Sequence, residues 1–154
     1  MFNFRTDLAL ERRELYRKAN KIENEIEGIE TEEEEINDKI RTSRVKVINE
    51  KGAEAIGKPI GNYITIDIKN LKIATTEDIQ SFSEVLTKEL KTLIQKHANN
   101  KDDILVVGLG NIYVTPDSLG PKVINEIDVT RHILEYMPEA IPENTRSVSA
   151  ISPG

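Results

Sequence analysis

Four consecutive apolar residues, Ile104-Leu105-Val106-Val107, constrain the fold of this chain more than any other feature. A short strand with no polar face is expected to be buried on both sides, at the centre of a sheet covered by helices. The patterns around it fit that setting. They read in the order helix, strand, strand, helix, buried strand, helix, strand, and helices alternating with a buried strand predict an α/β fold.

The individual segments follow from spacing. Leu8, Leu15, Ala19, Ile22, Ile26 and Ile29 make one stripe of a helix predicted from about Leu8 to Glu27, with Thr6 and Asp7 as capping residues and Gly28 as its stop. Residues 43–49 alternate, with Val45 and Val47 on one face, and residues 62–68 alternate again through Ile64, Ile66 and Ile68. Two such strands close in sequence predict an antiparallel pair. Gly52, Gly57 and Pro59 mark residues 50–59 as a turn region. Thr75 and Thr76, with Glu77 and Asp78 behind them, open a helix striped by Ile79, Phe82, Leu86, Leu90 and Leu93. Shorter helices are predicted within residues 118–128 and 129–136, and a strand over 145–151. The pattern ends on that strand with no helix to cover it, so the domain is expected to continue beyond Gly154.

Composition excludes several classes. At 154 residues, 38% apolar and 31% charged, the chain suits one globular domain. No apolar run nears the roughly 18 residues that span a bilayer. The start, Met1-Phe2-Asn3-Phe4-Arg5, lacks the layout of a secretory signal. Cysteine is absent, which removes disulfides and thiolate chemistry. These features together read as an intracellular protein. A net charge of −6 argues against direct binding of nucleic acid. The acid is concentrated in Glu23, Glu25, Glu27, Glu30, Glu32, Glu33, Glu34, Glu35 and Asp38. That run reads as a solvated helix end leading into an exposed connection over 30–38; the functional alternative is a segment that shields a site.

Chemistry concentrates after the apolar strand, in Gly108-Leu109-Gly110-Asn111 and Thr115-Pro116-Asp117-Ser118-Leu119-Gly120-Pro121. Open α/β sheets place ligands at the carboxyl ends of their strands. Gly108 and Gly110 permit a sharp turn or a close approach. A dinucleotide loop would need a third glycine where Tyr113 stands, and no phosphate-binding Gly-Lys-Ser or Gly-Lys-Thr occurs. Asp117 is a candidate catalytic carboxylate or, alternatively, a helix cap. Asn111 is a site-loop candidate or an ordinary turn residue. His97 and His132 have no partner at metal-ligand spacing, and there is no esterase-type Gly-x-Ser-x-Gly.

Five blocks, Arg5-Thr6-Asp7-Leu8-Ala9, Val106-Val107-Gly108-Leu109-Gly110-Asn111, Thr115 to Pro121, Val129-Thr130-Arg131-His132 and Ser147 to Gly154, together resemble the germination protease family. The likeness runs through the whole chain in order, and the Thr-Pro-Asp-Ser-Leu-Gly-Pro block is its most specific part. Departures are small: Ile112-Tyr113 replaces an aromatic-led pair, and Ser152 stands where alanine is common. The resemblance implies a three-layer α/β sheet covered by helices, similar to the hydrogenase-maturation endopeptidases (a phosphorylase/hydrolase-like fold).

It also implies function. Members are cytoplasmic endopeptidases of the forespore and spore core, tetrameric at full length, that degrade small acid-soluble spore proteins at germination. Asp117 matches the first of two proposed catalytic aspartates; the second is expected beyond Gly154, so this chain alone is expected to be inactive. Gly108, Gly110 and Asn111 line the site. An aspartate pair and metal assistance both remain open, and the sequence requires no cofactor and assigns no metal ligand. Members are made as zymogens that cut themselves between an acidic and an apolar residue followed by alanine. Asp7-Leu8-Ala9 fits, making residues 1–7 a propeptide and 8–154 the start of one peptidase domain. The competing reading is a non-enzymatic ligand-binding module built on the Gly108–Asn111 loop.

Overall fold

In the computed structural model, which describes residues 8–22, 24–99 and 102–153, the strand patterns read from the sequence all form strands, but in two sheets rather than one. The chain divides into two units, Met1–Leu90 and Lys91–Gly154.

The first unit is built on an antiparallel sheet of β1 (Ile29–Glu35), β2 (Ile40–Val47) and β3 (Gly61–Ile68), in that order. The expected pairing of the two alternating strands is present, with Val45 opposite Tyr63. Val45 and Val47 point into the core with Ala9, Ile26, Ile29 and Ile56, as their alternation requires. α1 (Ala9–Asn20) contributes Ala9 to that core and α2 (Glu50–Ile56) contributes Ile56.

Two segments differ from expectation. The acidic stretch read as an exposed connection is β1, an edge strand. Its charges are met from β2: Glu30 pairs with Lys46 at 3.0 Å, Glu32 and Glu34 with Arg44 at 3.5 and 2.8 Å, and Glu35 with Arg41 at 2.8 Å. Cross-strand pairing of opposite charges lets a nearly all-glutamate strand form. The segment read as a turn region is α2. Asn49 caps it by accepting from the Gly52 N–H at 3.1 Å. Its glycine disguised the helix, and that glycine is needed because a Cβ on Gly52 would strike the Gly28 carbonyl.

The helix stripes also differ. α1 stops at Lys21, in the left-handed region at φ 53°, well short of Glu27. Its inward face is Ala9 and Arg13, while Leu8 and Leu15 are 44% and 43% exposed. Arg13 is buried because Glu25 takes two of its N–H groups, and Arg12 donates to the Gly57 carbonyl at 2.8 Å where α2 ends. In α3 (Thr76–His97) the buried residues are Val85 and Glu89, and the expected Ile79, Leu86 and Leu90 lie exposed. Glu89 is turned inward by Arg44 of β2, whose Nε and Nη2 both donate to it.

The second unit holds a parallel pair, β4 (Ile104–Val107) and β5 (Val148–Ile151), with α4 (Leu119–Asn125) and α5 (Arg131–Tyr136) between them. A parallel pair joined through helices is the expected α/β arrangement. β4 is not covered on both faces: Leu105 is 64% exposed and Val107 48%. Among the described residues no helix is long and apolar enough to cross a membrane.

The start of α3 yields a pH prediction. Thr75 N–H donates to Asp78 Oδ2 at 2.9 Å, and Asp78 N–H donates back to Thr75 Oγ1 at 3.2 Å, a reciprocal cap. The Lys39 ammonium, 2.8 Å from the same carboxylate, is the main reason its pKa falls from 3.8 to about 2; the Thr75 N–H adds to it. A depressed carboxylate pKa stabilises the fold above the unfolded value and ceases to do so as pH falls through the folded one. The melting temperature should therefore decline between about pH 5 and about pH 2, and Asp78→Asn should lower it at neutral pH while flattening that acid limb. Thermal melts of both proteins across this range check it.

Candidate active site

The site loop leaves β4 at its carboxyl end, beside the carboxyl end of β5. Val107 pairs with Ile151, and Gly108 N–H extends the ladder by donating to Ile151 O at 2.9 Å. From there residues 108–120 run through a 3-10 turn at Thr115–Asp117 into α4. Short-range bonds shape the loop. Asn111 Oδ1 accepts from the Tyr113 N–H at 2.9 Å, and Val114 N–H donates to Asn111 O at 3.1 Å. Asp117 N–H donates to Val114 O at 2.8 Å.

These turns return Asp117 to Asn111. The Asn111 N–H is shared between the Asp117 carbonyl at 3.0 Å and Asp117 Oδ2 at 2.9 Å. The structure thus brings Asn111 and Asp117 together, and Gly110 is what lets them meet. Its φ is +132°, and a Cβ there would collide with the Asp117 carbonyl and lie 3.2 Å from Oδ1. Asp117 itself is exposed, and among the described residues Oδ1 accepts no hydrogen bond. One oxygen is held by a backbone amide while the other faces solvent, an arrangement able to take a proton from water.

Helix capping does not account for Asp117. Ser118, not Asp117, stands at the cap position of α4, and it makes no side-chain cap bond. Ser118 is 3% exposed, and its hydroxyl donates to Thr115 O at 3.0 Å. Asn111 does fill the turn role read for it, through Tyr113, while its own N–H carries the carboxylate. His97 ends α3 and His132 lies in α5, both exposed. Among the described residues no group of three or more His, Cys, Asp and Glu is placed to hold a metal. Asp7 lies outside the described residues; Leu8, extended at φ −75° and ψ 126°, precedes α1.

Sequence reasoning passed over two residues that organise this unit. Thr130 N–H donates to Val148 O at 3.1 Å, and its Oγ1 accepts from the Val148 N–H at 2.9 Å while donating to Arg146 O. A threonine at the start of the helix predicted over 129–136 gave no sign of this. Gly120 packs backbone to backbone against Leu109, and a glycine directly before proline at a helix start was the available signal.

A carboxylate on a glycine loop at the carboxyl end of a parallel strand stands where α/β sheets bind their ligands. The germination protease family profile matches residues 7–154. The germination protease of Clostridium acetobutylicum is 45% identical over the whole of this chain, and that of Caldanaerobacter subterraneus 46%. The chain therefore belongs to the germination protease family. The match covers 46% and 45% of those relatives, so the chain spans about half their length. The germination protease of Priestia megaterium is 42% identical over 99% of the chain and 42% of its own length.

Thr130→Val should cost about 1–3 kcal/mol, because it strands the Arg146 carbonyl and the Val148 N–H. Thr130→Ser should retain most of that stability. Denaturant midpoints of the two variants and the parent give the comparison.

Proposed function

We propose that this chain carries the first half of the active site of an endopeptidase that starts the degradation of small acid-soluble spore proteins during germination. The observation that carries the reading is Asp117, an exposed carboxylate oriented by the Asn111 N–H within a chain of the germination protease family. In this reading Asp117 works with a second carboxylate in the part of the relatives that this chain does not cover. Two neighbouring carboxylates divide labour because their repulsion raises one pKa and leaves the other ionised. The ionised group activates water for attack on the scissile carbonyl, and the protonated one delivers a proton to the leaving amine. Gly108, Gly110 and Asn111 hold the loop. Family membership favours this over a non-enzymatic ligand-binding module. The complete enzyme is proposed to be a cytoplasmic homotetramer of the forespore and spore core, with the hydrogenase-maturation type of fold.

Asp117→Asn in the full-length protein tests the role. Asparagine retains an oxygen for the Asn111 N–H, so the melting temperature should hardly change. Turnover should fall by at least about 100-fold, as loss of an acid–base group implies. Activity retained alongside a lowered melting temperature would assign Asp117 to structure instead.

We also propose that the protein is made as a zymogen cut between Asp7 and Leu8. Leu8 is 44% exposed, and its extended backbone just ahead of α1 suits a protease-bound shape at little cost. Release of residues 1–7, with Phe2 and Phe4, is the proposed activating step. Intact mass of the full-length protein after acidification and partial drying should show a terminus at Leu8. Any other terminus, or processing at an unchanged rate in Asp7→Lys, would sink this assignment.

A further inference from the structure

The loop bearing Asp117 is closed at its base by two glycines that meet through their backbones. A Cβ on Gly120 would collide with Leu109 O and lie 2.8 Å from both Leu109 N and Gly108 C. A Cβ on Gly108 would collide with Gly120 O and Ile124 Cγ1 and lie 2.7 Å from Gly120 C. The obstacles to a side chain at 120 are backbone atoms, which cannot swing aside as the tip of a side chain does. Gly120 also lies within α4, where glycine costs about 1 kcal/mol relative to alanine. The left-handed backbone that justifies Gly110 is not found at Gly120. What calls for glycine there is the close approach itself.

That approach is coupled to Asp117 by a short path along the chain. Only Ser118, 3% exposed, and Leu119 separate Asp117 from Gly120. On the other strand of the loop, Leu109 and Gly110 separate Gly108 from Asn111, whose N–H holds Oδ2. The clasp thus sets the separation of the two segments that the Asn111–Asp117 bond bridges. We propose that Gly120 is a positioning residue: its contact with residues 108–109 holds the Asp117 carboxylate on the Asn111 N–H and so fixes where Oδ1 stands. The catalytic consequence rests on the role proposed above for Asp117; the structural consequence does not.

Gly120→Ala has to open the loop, and a misplacement of about 1 Å in a catalytic group can cost about 100-fold in rate. In the full-length protein the variant should lower kcat by about 100-fold with KM within about threefold, since the carboxylate moves while the substrate surface remains. Hydrogen exchange read by mass spectrometry on peptides covering 108–120 should show the Asn111 amide exchanging faster, without a matching change elsewhere. Unchanged kcat and exchange would overturn the proposal, and so would faster exchange with full activity while Asp117→Asn is inactive. If Asp117→Asn is itself fully active, the catalytic reading fails, and exchange alone then decides whether the clasp holds the carboxylate. Should Gly120→Ala not fold, Gly108→Ala combined with Ile124→Ala loads the clasp from its other face with one collision removed, and the same measurements decide.

Discussion

The first unit depends on Arg44. Its guanidinium donates to Glu89 of α3 and Glu34 of β1, and lies 3.5 Å from Glu32. The Glu89 side chain is 6% exposed, so its charge has left water and must be met inside the fold. Removing one partner of such a pair typically costs about 3–5 kcal/mol, whereas exposed pairs such as Arg41–Glu35 contribute little. Arg44 therefore outweighs the other surface cations of β2. It explains how β1 tolerates its glutamates and why α3 presents Glu89 inward rather than Leu86 or Leu90.

The second unit solves a different problem, chiefly with backbone and short polar side chains. β4 and β5 form a two-stranded ladder, which is marginal by itself. Thr130 extends it by trading two hydrogen bonds with Val148 and adding one to Arg146. The loop after β4 is shaped by turns between residues at most six apart, and is closed where glycines let main chain meet main chain. Little of this rests on side-chain burial, since Leu109 and Tyr113 are 71% and 94% exposed. A loop held by its backbone leaves its side chains available for contact with a substrate or with further polypeptide.

Much of this was legible in order along the chain. The alternation through Val45 and Val47 located β2 and its buried face, and Thr75 with Asp78 located the start of α3, because period and capping are local properties. The glycine loop and Asp117 were visible as site candidates, from the position of the loop after an apolar strand. What misled was charge and glycine. The glutamates of β1 read as a solvated run, and α2 read as a turn because Gly52 and Gly57 flank or interrupt it. The apolar stripes of α1 and α3 pointed to Leu15 and Leu86, while the buried positions went to Arg13 and Glu89.

The sequence by itself determined where β2, β3, β4 and β5 lie, the antiparallel pairing of β2 with β3 and membership of the germination protease family. Those depend on neighbours in the chain or on a motif that survives as a string. Only the tertiary structure decided which charges are buried, because Arg44 meets Glu89 across 45 residues and Arg13 meets Glu25 across a turn no pattern announces. It alone separated the strands into two sheets. It alone showed that the Asp117 carboxylate turns back to the Asn111 N–H instead of capping α4, and that Gly120 is glycine because another backbone passes through the space a Cβ would fill.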